Sequence, residues 1–242
     1  MSRRKSRKNQ TRPNTRYYLL GGAAVAVIVG YLLLSASLQG QGKSATTAAS
    51  KPIILYVNQG NGVVNDSNFG ELLSTATSHG FNTLFFQVYR SGTLLFTTDA
   101  LSQLVASAHA QGLKIFLALY FTNTTQSLPS SIYSAGEDGI SLDMSTLPIA
   151  TQTGLFDQLS SSYTGKTAIT TTDFTLALKP DLLVVETYGA GNDQYIHAGV
   201  IASVGVFDTT SRQDYQQQYQ YALSNSDGVM VFDYAGLVKS GY

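Results

Sequence analysis

Four carboxylates, Asp143, Glu186, Asp208 and Asp233, stand at or just beyond the ends of short apolar runs. If those runs are parallel strands buried on both faces, their C-terminal ends are where a barrel gathers its chemistry. Two carboxyl groups that face one another can divide acid and base work. One protonates a leaving oxygen while the other attacks or activates water, which is what glycosidic cleavage requires. The pair expected here is Asp143 with Glu186. Glu186 is expected to be the acid, because Val184 and Val185 would desolvate it and raise its pKa. Asp208 and Asp233 are further catalytic candidates. Asn58, Gln87, Tyr89, Tyr120, Tyr188 and Tyr234 close the same runs and are expected to bind substrate through hydrogen bonds and ring stacking. A purely structural role competes for each acid. Asp173 and Asp208, each beside a threonine, suit the capping of a following helix.

Other chemistries find little support. The chain has no cysteine and only three histidines. His79 and His109 lie just before Gly80 and Gly112, where imidazole suits a helix C-terminus, and His197 falls in a loop. A dedicated metal site is therefore not expected. No cofactor is expected either, since the glycines after the first apolar run, Gly60 and Gly62, lack the dinucleotide fingerprint. The stretch Gly165-Lys166-Thr167 ends like a phosphate loop but has Ser160 where the first glycine should be.

Eight strand candidates must position these residues: 53–58, 83–89, 114–121, 139–144, 167–172, 181–187, 200–207 and 228–234. Most are continuously apolar, which argues against an antiparallel sandwich. Three helices are well signalled between them. The first has Asp66 or Ser67 as N-cap and Gly80 as stop, and the second has Thr98 or Asp99 before Leu101 and Gly112 as stop. The third starts at Ser211-Arg212-Gln213-Asp214. A weaker helix is expected over 150–162. The segments after the fifth and sixth strands are too short or too glycine-rich for full helices. The fold predicted is α/β, a small, partly degenerate (β/α)8 barrel of the TIM type, preceded by one transmembrane helix. A doubly wound open sheet is the alternative.

Ahead of the barrel the composition changes sharply. Residues 1–16 carry seven basic side chains and no acid, leaving eight basic against fifteen acidic residues, a net charge of minus seven, for the rest. Residues 17–38 are uncharged and, as a helix, would span roughly 30 Å, enough to cross a hydrocarbon core. The basic cluster before this span should stay cytoplasmic, so the C-terminal domain is expected outside the cell membrane. Cleavage as a signal peptide is the competing fate. Residues 39–50 are small and polar, as in a flexible tether, and residues 51–242 form the barrel domain. The adjacent span makes topology, rather than nucleic-acid binding, the expected use of the basic tail.

Phe86-Gln87-Val88-Tyr89-Arg90-Ser91-Gly92, the helix end Ala108-His109-Ala110-Gln111-Gly112-Leu113-Lys114, and Gly228-Val229-Met230-Val231-Phe232-Asp233-Tyr234 carry a resemblance. Over residues 81–121 and 228–234 the chain resembles barrel-fold glycoside hydrolases of the group related to bacterial glycosyl-hydrolase-like lipoproteins. The resemblance implies a barrel with a sugar site at its mouth. One departure concerns Arg90: where that group has Gln-Val-Arg, this chain has Gln87-Val88-Tyr89, with the arginine one position later. Strand side chains alternate, so regular pleating predicts that Arg90 points away from the mouth. Two functions follow as expectations. One is a membrane-anchored extracytoplasmic domain that binds and hydrolyses cell-surface carbohydrate; the other is a non-catalytic surface binding or scaffolding module on the same fold.

Overall fold

Eight parallel strands follow one another around a ring and close it. They are β1 (Ile53–Val57), β2 (Thr83–Arg90), β4 (Lys114–Tyr120), β5 (Gly139–Asp143), β6 (Lys166–Thr171), β7 (Leu182–Glu186), β8 (Ile201–Gly205) and β9 (Gly228–Phe232). A two-residue strand, β3 (Thr93–Leu94), folds back antiparallel on the end of β2. Closure comes from β1, which pairs in parallel with both β2 and β9. The structure, a computed structural model, describes residues 50–59, 64–123, 127–188, 192–207 and 210–241. The expected basic tail, the expected span over 17–38, nearly all of the tether, and Asp208 lie outside these residues. Among the described residues no helix is long and apolar enough to cross a membrane. Lys51–Tyr242 forms one compact unit.

Alternation along the strands builds two apolar layers. Ile54, Tyr56, Phe85, Phe116, Ala118, Ala168, Val184, Ile201 and Met230 point inward and fill the barrel. Leu55, Val57, Leu84, Phe86, Leu117, Leu119, Ile140, Ile169, Val204 and Val231 point outward to the helices. Those helices are α1 (Phe69–Ser78), α2 (Thr98–Ala110), α3 (Ile149–Ser162), α4 (Arg212–Asn225) and α5 (Tyr234–Ser240). The first and second present the stripes legible in the sequence, Phe69, Leu72, Leu73, Ala76 and Leu101, Leu104, Val105, Ala108. Gly80 and Gly112 follow them with positive φ, the backbone conformation in which glycine alone is unstrained.

Several boundaries differ from expectation. Asn65, rather than Asp66 or Ser67, begins the first helical segment: its side chain accepts from the Ser67 backbone and caps a 3₁₀ turn, Asp66–Asn68. Thr97 caps α2 in place of Thr98 or Asp99. The last strand stops at Phe232, and Tyr234 opens α5, a helix with no counterpart in the sequence analysis. The cause is Asp233, whose carboxylate accepts from the Gly236 amide at 3.0 Å and so starts a helix.

At the opposite end of the barrel, the residue before each of three strands clamps the strand preceding it in the ring. Asn82 Oδ1 accepts from Ile53 N at 2.9 Å, Asp138 Oδ2 from Ile115 N at 2.8 Å, and Asp181 Oδ2 from Thr167 N at 2.8 Å. Each removes an orphan amide where the ladder begins and fixes strand register.

Candidate active site

Asp143 ends β5 and points inward, since Gly139 and Ser141 share its face of the strand. Its register neighbour on β6 is Thr170, and Thr170 pairs with Val184 on β7. Glu186 lies two residues beyond Val184, on the same face and one side-chain layer nearer the opening. One strand separates the two carriers, so their backbones stand roughly 10 Å apart and both side chains lean toward the axis. Ser145 closes the gap: its hydroxyl lies between the two acids and has one proton to give, to Asp143 Oδ1 at 3.4 Å in one orientation or to the Glu186 carboxylate in the other. Together they line a cavity of about 200 Å³ with Tyr56, Asn58, Gln87, Arg90, Tyr120, Tyr188 and Phe232.

The floor of this cavity is a hydrogen-bonded chain. Tyr56, 1% exposed, donates its hydroxyl to Asp143 Oδ2 at 2.8 Å. Gln87 also bonds to the Tyr56 hydroxyl, and its Oε1 accepts from the backbone of Gln59 at 2.9 Å. Burial pushes the Tyr56 phenol up, so it stays protonated and remains a donor. Asp143 is pushed up to about 7, first by burial and then by the charge of Glu186, against the opposing bonds from Tyr56 and Ser145. Glu186 is also raised by burial, with Tyr188 and Ser145 holding it down. Two acids whose charges repel titrate as a pair, and the deeper Asp143 keeps its proton to the higher pH.

Arg90 reaches this site through an irregularity. The pairing of β2 with β4 shifts between Gln87 and Tyr89, which leaves Val88 as an extra residue in the strand. A bulge of this kind resets the alternation beyond it. Gln87 points in, Val88 and Tyr89 both turn outward, and Arg90 points in again. Its guanidinium stands 5.3 Å from the centre of the Tyr120 ring and donates to Asn58 Oδ1 at 3.2 Å. The expectation that Arg90 points away is therefore corrected. With the bulge, Gln87 and Arg90 recover the same inward faces that an unbulged Gln-Val-Arg would have.

The same bulge removes Tyr89 from the mouth. It is 4% exposed, lies 5.3 Å from Phe121 ring to ring, and donates to Ser127 O at 3.2 Å within the outer layer. Tyr234 is also displaced from the expected set, buried in the first turn of α5 and hydrogen bonded to Thr75 of α1. Asp233 sits at the rim as the cap of α5 and lines a neighbouring cavity rather than the one that holds Asp143 and Glu186. Asp173 accepts from the amide and hydroxyl of Thr175, a local turn. Of the expected substrate-binding residues the cavity brings together Asn58, Gln87, Tyr120 and Tyr188. It adds Tyr56, Ser145, Arg90 and Phe232. Tyr56 could have been found from its alternation with Ile54 and Asn58; Arg90 could not, because a bulge leaves no mark in composition.

The histidines stay apart from the cavity. His79 bonds the Thr75 carbonyl at the end of α1, His109 pairs with Asp138 at 2.8 Å, and His197 bonds the Ala198 carbonyl. Among the described residues no group of three His, Asp or Glu side chains is placed to hold a metal ion.

No family model and no curated protein sequence matches this chain. Solved structures do resemble it. CpGH84B has 7% identity and a TM-score of 0.52, with 75% of this chain and 44% of that one covered. The Bacillus cereus spore cortex-lytic enzyme SleL has 10% identity and a TM-score of 0.50, with 78% and 74% covered. The GH18 chitinase ChiB of Flavobacterium johnsoniae is at 11% identity and a TM-score of 0.49, with 77% and 88% covered. The likeness to CpGH84B and SleL is in keeping with the barrel fold implied by the resemblance carried by residues 81–121 and 228–234. At such identities the likeness is one of fold.

Proposed function

We propose that this barrel binds carbohydrate and cleaves a glycosidic bond with Asp143 and Glu186. The observation that carries the proposal is the shared cavity of two inward carboxyl groups joined by Ser145 and surrounded by phenols, amides and one arginine. Two coupled acids at the C-terminal ends of barrel strands meet the chemical need for one proton donor and one carboxylate. The burial of Asp143 and the charge of Glu186 favour Asp143 as the group that holds the proton. Asp143 then protonates the leaving oxygen, and Glu186, nearer the opening, attacks the anomeric carbon or activates water. This exchanges the roles expected from sequence, where the apolar neighbours of Glu186 were the only guide.

Residues 1–16 and 17–38 support a further part of the proposal: a single-pass anchor with the barrel on the extracytoplasmic side, acting on cell-surface carbohydrate. Protease accessibility of the barrel in intact cells tests it, with degradation expected from outside.

A second reading, a non-catalytic carbohydrate-binding module, draws on the small size of the cavity, about 200 Å³, and on the 4% exposure of Asp143. The test is incubation of the full chain with oligosaccharides, followed by product analysis, with Asp143→Asn and Glu186→Gln in parallel. Cleavage by the parent that each substitution abolishes supports the enzyme. Binding without cleavage in the parent supports the module.

A further inference from the structure

Inside the barrel, the hydroxyls of Ser141, Thr170 and Ser203 bond to no protein group. These residues are 0%, 1% and 0% exposed, and the side-chain oxygen of each is buried without a hydrogen-bond partner among the described residues. Alternation turns all of them toward the axis. Ser141 stands two residues before Asp143 on β5, Thr170 two after the inward Ala168 on β6, and Ser203 two after the inward Ile201 on β8. Register then sets them against the acids: Thr170 pairs with Asp143, and Ser203 pairs with Glu186.

The same inward faces carry Ala168, Val184 and Ile201, so these positions suit apolar residues. A buried hydroxyl left unpaired is costly, and several around one interior call for a partner that is not part of the chain. There is room for one. Ala118, Ser141 and Ala168 lie side by side across β4, β5 and β6, a row of small side chains turned to the axis. A polar interior site with room takes up water, which makes about three hydrogen bonds there. Asp143 can receive such a bond. A carboxylate accepts roughly four hydrogen bonds, whereas the described residues supply Asp143 only with those from Tyr56 and from the hydroxyl and backbone of Ser145.

We propose that Ser141, Thr170 and Ser203 hold internal water on the inner side of the Asp143–Glu186 pair, and that this water passes a proton between the two acids. The proposal rests on the reading of the two as a catalytic pair and adds how the acid is restored when Glu186 activates water. Asp143 has then protonated the leaving oxygen, and Glu186 has taken a proton from the attacking water. Glu186 gives a proton to water held by Ser203, that water gives one to water held by Thr170, and the latter gives one to the Asp143 carboxylate. At every member one O–H bond breaks as another forms, and no electron is transferred. The pair ends as it began, with Asp143 protonated and Glu186 charged. Ser145 also bridges the acids, but it lines the cavity where a ligand sits, whereas the inner route lies beneath it. Thr170 and Ser203 act through the water and are positioning residues.

The water is tested without a sugar, by a crystal structure of the full chain that shows ordered water and by carbon-13 NMR titration of both carboxyl groups. Water is expected within hydrogen-bond distance of at least two of the hydroxyls in the parent and to be lost in Thr170→Val. Water that donates to a carboxylate favours the charged form, so Asp143 in Thr170→Val should titrate about one pH unit higher, and Thr170→Ser should restore the parent value. Ser203→Ala should move Glu186 in the same direction. Proton passage is read in turnover: with a cleaved oligosaccharide, Thr170→Val is expected to lower kcat about tenfold at unchanged KM, and Thr170→Ser to recover it. A parent interior without water at these hydroxyls, titrations unmoved by both Thr170→Val and Ser203→Ala, or an unchanged kcat in Thr170→Val would each overturn the relay and leave the cleavage reading standing. A chain that shows the water and the shifts but cleaves no oligosaccharide would lose the cleavage reading and keep the water that joins the acids.

Discussion

The hydroxyl of Tyr56, on β1, donates to Asp143, on β5, at 2.8 Å across the barrel interior. This bond ties the deepest carboxyl of the cavity to the opposite wall through Oδ2, while Oδ1 accepts from Ser145. Because a hydrogen bond donated to a carboxylate favours its charged form, Tyr56 lowers a pKa that burial raises. Replacement by Tyr56→Phe is expected to move the Asp143 pKa further up, read as an upward shift of its carboxyl carbon titration. A downward shift would contradict the donor role.

The raised pKa of Asp143 has a consequence for stability. Its folded value of about 7 exceeds the ordinary carboxylate value, so the native state holds a proton that the unfolded chain has released between roughly pH 4 and 7. Native stability from this group is therefore complete below pH 4 and lost as pH rises through 7. The loss is on the order of 4 kcal/mol at most. Asp143→Asn should melt higher than the parent at pH 8 and close to it at pH 4, as thermal unfolding at both values would reveal. A variant that melts lower at pH 8 would contradict the unfavourable burial of this charge.

Glu186→Gln removes the outer carboxylate while keeping its shape. Turnover is expected to fall by about 10²- to 10⁴-fold with ligand affinity little changed, measured by product release and titration. Equal losses of affinity and turnover would assign Glu186 to binding alone.

Arg90 is held over Tyr120 and against Asn58 only because the strand bulges at Val88. Arg90→Met should weaken carbohydrate binding by roughly tenfold and leave the melting temperature nearly unchanged, since the guanidinium lies at the mouth. Unchanged affinity would remove Arg90 from the site.

Asp138 provides the converse case at the far end of the barrel. Asp138→Ala leaves the Ile115 amide without its acceptor and should destabilise by about 1 to 3 kcal/mol. The partly exposed pairing with His109 adds little. Ligand binding should not change, because the stabilising and functional ends of such a barrel are separate. Chemical denaturation and titration together check this.

Most of the barrel was legible because buried parallel strands are written as continuous apolar runs, and all eight appear within a few residues of their expected positions. The closing helix was not legible. Val231-Phe232-Asp233-Tyr234 reads as strand until Asp233 caps, and capping depends on Gly236 three residues later. In the site, Asp143, Glu186, Asn58, Gln87, Tyr120 and Tyr188 followed from their places at or near the ends of apolar runs. Tyr89 and Arg90 exchanged places because one extra residue, Val88, resets the strand alternation, and the choice of which residue bulges is made by pairing with β4. Tyr234 was assigned to the mouth by proximity to Asp233, whereas the turn of a helix carries it to the outer layer.

The account depends on Asp143 and Glu186 sharing one site closely enough to share a proton. The direct measurement is a carbon-13 NMR titration of the two carboxyl groups in the parent and in Glu186→Gln. Asp143 is expected to titrate near pH 7 in the parent and at a lower pH once the Glu186 charge is gone. An Asp143 that titrates near pH 4, unmoved by Glu186→Gln, would mean that the two acids do not act together.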